Sequence, residues 1–219
     1  MDQHRASWRS PFLLLLLLSA FAATAVLVSA ACGGDDSGGD KGGGSPSGSD
    51  APSSSRPTAR PGATKNEKWA AGLCVAVASF ESDIEKLSTS VAFSPTDDAE
   101  KIKDTLVRFL QDAQKRSARL QADVKSLGDP DGKDGKKIQA AMVAASGKAV
   151  GVFDKAVKDA QALTTKDQAR LQSEIVALGN SIEDASNDIA SAFEQIDRDY
   201  DTRELTKVAE SVPECTGIF

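Results

Sequence analysis

Histidine is nearly missing from this chain. The one histidine, His4, precedes a long apolar run, and no other follows it. Everything downstream therefore lacks a Ser-His-Asp or Cys-His pair for nucleophilic catalysis. It also lacks imidazole metal ligands, including the Glu-x-x-His pairs of di-iron bundles. Aromatic residues are only 5% of the sequence and do not interleave with basic ones, so no base-stacking surface for nucleic acid is indicated. The formal charge is −6, which argues against nucleic acid or anionic lipid as a general partner. Strand-like alternation of useful length is absent. A phosphate-binding loop is absent too, since "AASGKAVG" has Gly147-Lys148 without the motif's first glycine and closing Ser or Thr. No cofactor is expected.

What is present begins with a processing signal. Arg5 and Arg9 precede the uncharged run "FLLLLLLSAFAATAVLV", which is followed by Ser29, Ala30, Ala31 and Cys32. That is the order of a secretory signal peptide. The small pair before Cys32 and the Gly-Gly after it resemble a lipobox, with Ser29 where Leu or Val is commoner. Cleavage before Cys32 and lipidation of Cys32 are expected. Cleavage after Ala31 by ordinary signal peptidase is an alternative. Retention of residues 12–31 as a membrane span is another, because twenty residues suffice to cross a bilayer. All three place the remainder outside the cytoplasm. Three cysteines leave an odd one in an exported protein. If Cys32 carries lipid, Cys74 and Cys215 remain, and an oxidising compartment favours their pairing.

Residues 33–66 hold no apolar side chain larger than Ala or Pro. Such a segment cannot bury enough surface to offset its ordering entropy. It reads as a flexible spacer of ~30–35 Å. The expected domains are thus 1–31, signal peptide; 32–66, lipidated cysteine and linker; and 67–219, one globular domain.

Within that domain, apolar residues recur at spacings of three and four, the period of one helix face. The first run is Leu73, Val77, Phe80, Ile84, Leu87, Val91. The second is Ile102, Leu106, Phe109 or Leu110, Ala113, Ser117, Leu120, Val124, Leu127. The third is Ile138, Met142, Ala145, Ala149, Val152, Ala156, Leu163. The fourth is Leu171, Ile175, Leu178, Ile182, Ala185, Ile189, Ala192, Ile196. "SPTD" offers Ser94 as N-cap, Pro95 at the first helical position and Asp97 for a capping box. Gly128 and Pro130 end the second helix. Thr164 or Thr165 is expected to cap the fourth. A short fifth helix is expected over about 203–211. Short connections between long helices predict an all-α, up-down-up-down antiparallel four-helix bundle ~40–50 Å long, with a short C-terminal helix. Cys74 and Cys215 then lie at the same end.

Gly147 and Gly151 fall inside the third helix and Gly179 inside the fourth. Counted from a turn near residue 165, Gly151 and Gly179 face each other at one level. They read as a close helix contact, or as a groove admitting a ligand. Carboxylate clusters do not make a site. "DRDYDTRE" and "GDPDGKDG" both fail the calcium-loop pattern, so no metal is expected. Residues 101–125 hold seven Lys or Arg against three Asp, and residues 183–204 hold eight acids against two Arg. Solvated helix faces account for both, with a wall polymer or a basic partner as the sharper reading.

The "SAACGGDDSGGD" segment, the Ser/Gly/Pro spacer and the alanine-rich domain with "GLC" and "PEC" resemble small surface lipoproteins of high-GC Gram-positive bacteria. The resemblance implies a location, the extracytoplasmic face of the cell membrane, and no activity. The expected function is non-enzymatic: an anchored bundle presenting helix faces to an envelope protein or wall polymer. The alternative is a small-molecule or lipid binder with its site between the third and fourth helices.

Overall fold

A computed structural model describes residues 61–94 and 97–218. The signal peptide, Cys32 and nearly all of the linker lie outside the described residues, as does Pro95.

The described residues form an all-α helical bundle. Its elements are α1 (Lys65–Ser90), α2 (Ala99–Ser126), α3 (Gly135–Gln161), α4 (Gln168–Asp199), α5 (Arg203–Ser211) and a 3-10 turn, Pro213–Cys215. Helix α1 opens on a reciprocal capping box. The Glu67 amide donates to Thr64 Oγ1 at 3.2 Å, and the Thr64 amide donates to Glu67 Oε2 at 2.6 Å. Two orphan amides are thereby satisfied. Order thus begins before the expected boundary at 67, and Asn66 is already buried, bonded to the backbone of Asp131.

Two other starts differ from expectation. Helix α2 is capped by Asp98, whose side chain accepts from the Lys101 amide at 2.8 Å. Ser94 and Asp97 instead close a turn ahead of it, with Ser94 N–H donating to Asp97 Oδ2 at 2.8 Å. Helix α4 is capped by Asp167, accepting from the Arg170 amide at 3.1 Å. Thr165 hydrogen-bonds Glu100 rather than capping α4. At the end of α2, Gly128 adopts φ 72°, the left-handed stop that the sequence announces.

Close backbone packing runs in chain order, α1 on α2, α2 on α3, α3 on α4. Each pair is antiparallel. Arg116 on α2 meets Asp83 on α1 at 2.7 Å, and Leu127 lies against Gly72. Gln139 on α3 donates to the Val124 carbonyl at 2.7 Å, and Lys103 on α2 donates to the Leu163 carbonyl at 3.0 Å. The tail, α5 with the 3-10 turn, packs back on α1. Cys74 and Cys215 are joined there as a disulfide, with Cα atoms 5.1 Å apart.

Candidate functional site

The core is two clusters rather than one. The lower cluster, at the disulfide end, contains Trp69, Leu73, Cys74, Val124, Ile138, Met142, Ile196, Leu205 and Cys215. The upper cluster contains Ile84, Leu106, Leu110, Phe153, Ala160, Leu163, Leu171, Leu178 and Ile182. Small residues pack the level between them: Ala76, Ser117, Ala145 and Ser146 are buried there. Ser117 satisfies its hydroxyl on the Ala113 carbonyl at 3.0 Å.

At this waist the apolar pattern of α3 slips. Ala145 and Ser146 are buried, then nothing until Phe153. Phe153, absent from the expected run, takes the inward place, and Val152 is left half-buried. Helix α4 shows the same gap: nothing between Ile182 and Ile196 is fully buried. Ala185, Ile189 and Ala192, three in-phase positions, stay partly open and belong to neither cluster.

The result is a groove of about 530 Å³ along the α3–α4 seam. Its apolar lining includes Val152, Ala156, Leu178, Ile182 and Ile189. Three of its charged residues are neutralised on their own helices, Lys155 and Asp159 by each other at 2.6 Å and Arg198 by the neighbouring Glu194 at 3.5 Å. Two more, Lys148 on α3 and Asp188 on α4, also line it and form no ion pair among the described residues.

The three glycines separate. Gly147 packs against α2: a Cβ there would stand 2.6 Å from Gln121 Nε2. Gly151 is exposed and lines the groove, and a Cβ there would meet nothing within 4 Å. Gly179 does not line it. The expected facing of Gly151 and Gly179 fails because the α3–α4 hairpin is not centred on residue 165. Met142 and Ile196 line one small cavity, and counting along the antiparallel helices from that level brings Gly151 to about residue 187 of α4, well past Gly179. Helix α4 overhangs the end of α3, and Glu174 reaches back to accept from the Thr164 amide at 2.8 Å. This bond, and then Arg170, hold the Glu174 carboxyl below its ordinary pKa.

A helix-interior glycine costs up to ~1 kcal/mol relative to alanine. Gly151→Ala is expected to stabilise the fold by about 0.5–1 kcal/mol. Gly147→Ala should gain less, because Gln121 must move. Thermal melts of both variants check the contrast, and equal gains would contradict it.

The acidic stretch spans the end of α4. Among the described residues, no group of three His, Cys, Asp or Glu side chains is arranged to hold a metal. Asp201 is held by Arg203 through two bonds of 2.9 and 2.8 Å, and its pKa falls to about 2. Asp197 is different. It borders a cavity of about 20 Å³ beneath Trp69, Met142 and Phe193, room for about one water. Burial raises its pKa above the ordinary 3.8, opposed by a 2.9 Å hydrogen bond from Thr202 Oγ1. The folded chain thus holds the proton more tightly than the unfolded chain. Stability from this group is full below the ordinary value and falls as pH rises through the raised one. Asp197→Asn keeps an acceptor for Thr202 and removes the charge. It is expected to raise the melting temperature at neutral pH by a few degrees and to have no effect in strong acid. A drop at neutral pH would contradict this.

The basic stretch 101–125 is mostly occupied. Lys101, Lys115, Arg116 and Arg119 each pair with an aspartate, and Lys103 holds the Leu163 carbonyl. No described helix is long and apolar enough to cross a membrane. Compared with known proteins, the chain matches no family model, no curated protein and no solved structure.

Proposed function

We propose that this chain is a non-enzymatic protein of the cell envelope. Its signal peptide ends at Ala31, lipid on Cys32 holds it to the outer face of the membrane, and the linker carries the bundle outward. The bundle is an up-down-up-down arrangement of four long helices, a reading supported by the three antiparallel neighbour pairs. Its working surface is the α3–α4 face, where a helical partner docks.

The observation that carries this reading is the open stretch of α4. Ala185, Ile189 and Ala192 keep the spacing of a packed helix face yet are covered by neither core cluster. Such positions ordinarily meet a neighbouring helix. Binding of a small molecule or lipid in the same groove is the second reading. It is favoured by the volume of about 530 Å³, within the range of small-molecule sites.

Cell fractionation tests the anchor. The wild-type chain is expected in the membrane fraction and accessible to protease added to intact cells. Cys32→Ala is expected to lose the lipid and leave the membrane. A Cys32→Ala chain that stays with the membrane as the wild type does would overturn lipid anchoring.

A further inference from the structure

We infer that the helical partner of the α3–α4 face is a second copy of this chain, joined about a two-fold axis parallel to the seam. The inference rests on the working surface named above and adds its occupant. Helix α3 forms one wall of the groove and carries Lys148; α4 forms the other and carries Asp188, and neither is in an ion pair among the described residues. Met142 and Ile196 line one small cavity, and counting along the two antiparallel helices from that level brings Lys148 to within about two residues of the level of Asp188 on the opposite wall. An axis along the seam lays α3 of one protomer over α4 of its partner and keeps every residue at its own level. Lys148 then faces the partner's Asp188, and Asp188 faces the partner's Lys148. An axis across the seam would stack α3 on α3 and cation on cation. Charge therefore selects one of the two symmetric arrangements.

The apolar surface fits the same arrangement. Two α3–α4 hairpins pressed together make a four-helix layer in which Val152, Ala185, Ile189 and Ala192 from each copy become interior. Gly151, with nothing of its own chain above it, admits close approach of the partner's backbone. The open seam runs from Leu178 to Arg198. It is about 30 Å long on α4 and about 17 Å long on α3, where the lining runs from Lys148 to Asp159, which buries on the order of 500 Å² per copy. That is the lower end for a specific interface, so a weak, reversible dimer is expected.

The test is sedimentation velocity of the full chain in detergent, across a wide concentration range and at low and high salt. A reversible monomer–dimer equilibrium that weakens with salt is expected. Lys148→Asp and Asp188→Lys, both at exposed positions, are each expected to weaken it about tenfold. The double variant, Lys148→Asp with Asp188→Lys, is expected to recover wild-type affinity. Circular dichroism confirms that each variant is folded. A chain monomeric throughout, or a dimer indifferent to both single changes, would overturn the inference. A monomer that carries a small molecule, seen as added mass that Ile189→Glu removes, would overturn self-pairing while leaving the α3–α4 face as the binding surface. A monomer without cargo, with Ile189→Glu indistinguishable from wild type in every respect, would remove both.

Discussion

Replacing Cys74 and Cys215 with alanine is expected to destabilise the bundle by on the order of 5 kcal/mol. The bridge spans 141 residues, so it closes nearly the whole described domain into one loop. In the chain-entropy model the unfolded state loses the more freedom the longer that loop. The native geometry is ready for the bond: the Cα atoms are 5.1 Å apart, and both cysteines are buried in the lower cluster. A domain of this size is commonly stable by only about 5–15 kcal/mol, so the loss is a large share of the total. The melting temperature should fall by roughly 10–20 °C in the double variant, or in the native chain under reductant. The tail is the first element expected to loosen. Leu205, Ala209 and Val212 still anchor it by packing, but α5 is only nine residues long. A melt that reductant leaves unchanged would mean that packing alone holds the tail.

Trp69→Ala is the second large effect. Trp69 is 3% exposed at the centre of the lower cluster. Its indole Nε1 donates to Gln139 Oε1 at 2.8 Å, and Gln139 Nε2 donates to the Val124 carbonyl at 2.7 Å. One buried chain of bonds thus ties α1, α3 and α2 together. Alanine empties the ring volume and strands Gln139, for an expected loss of about 3–5 kcal/mol. Trp69→Phe keeps most of the volume and strands Gln139 alone, for about 1–3 kcal/mol. Denaturant unfolding of both variants separates packing from the hydrogen bond. Equal losses would mean the indole bond carries the whole effect.

The helices were legible because spacing of three and four is a property of each segment alone. Trp69 stands four residues before Leu73, in phase with it, and reads as core once the Thr64 capping box is seen. The disulfide was legible by counting, since removing Cys32 leaves two cysteines. Helix starts were less legible. Ser94, Asp97 and Asp98 compete for one cap, and only the turn closed by Ser94 and Asp97 settles which amides remain free. The groove was half legible. The sequence offered a groove by Gly151, between the third and fourth helices, only as the alternative to a close helix contact, and it set Gly179 opposite Gly151, where the structure does not. The overhang of α4, held where Glu174 reaches the Thr164 amide, is what separates the two glycines, and no local pattern encodes it. The phase slip that leaves Val152 half-buried and takes Phe153 fully inside depends on which of two adjacent apolar residues the neighbouring helices accept. Lys148 and Asp188 are forty positions apart and come to opposite walls of one groove only through the packing of α3 on α4.

The most direct measurement is native mass spectrometry of the protein released, unreduced, from its own cell envelope. The expected species is a chain beginning at Cys32 with diacylglycerol mass and two hydrogens lighter than its reduced form. A chain that retains residues 1–31, or one that begins at Cys32 without lipid, would contradict the anchored bundle.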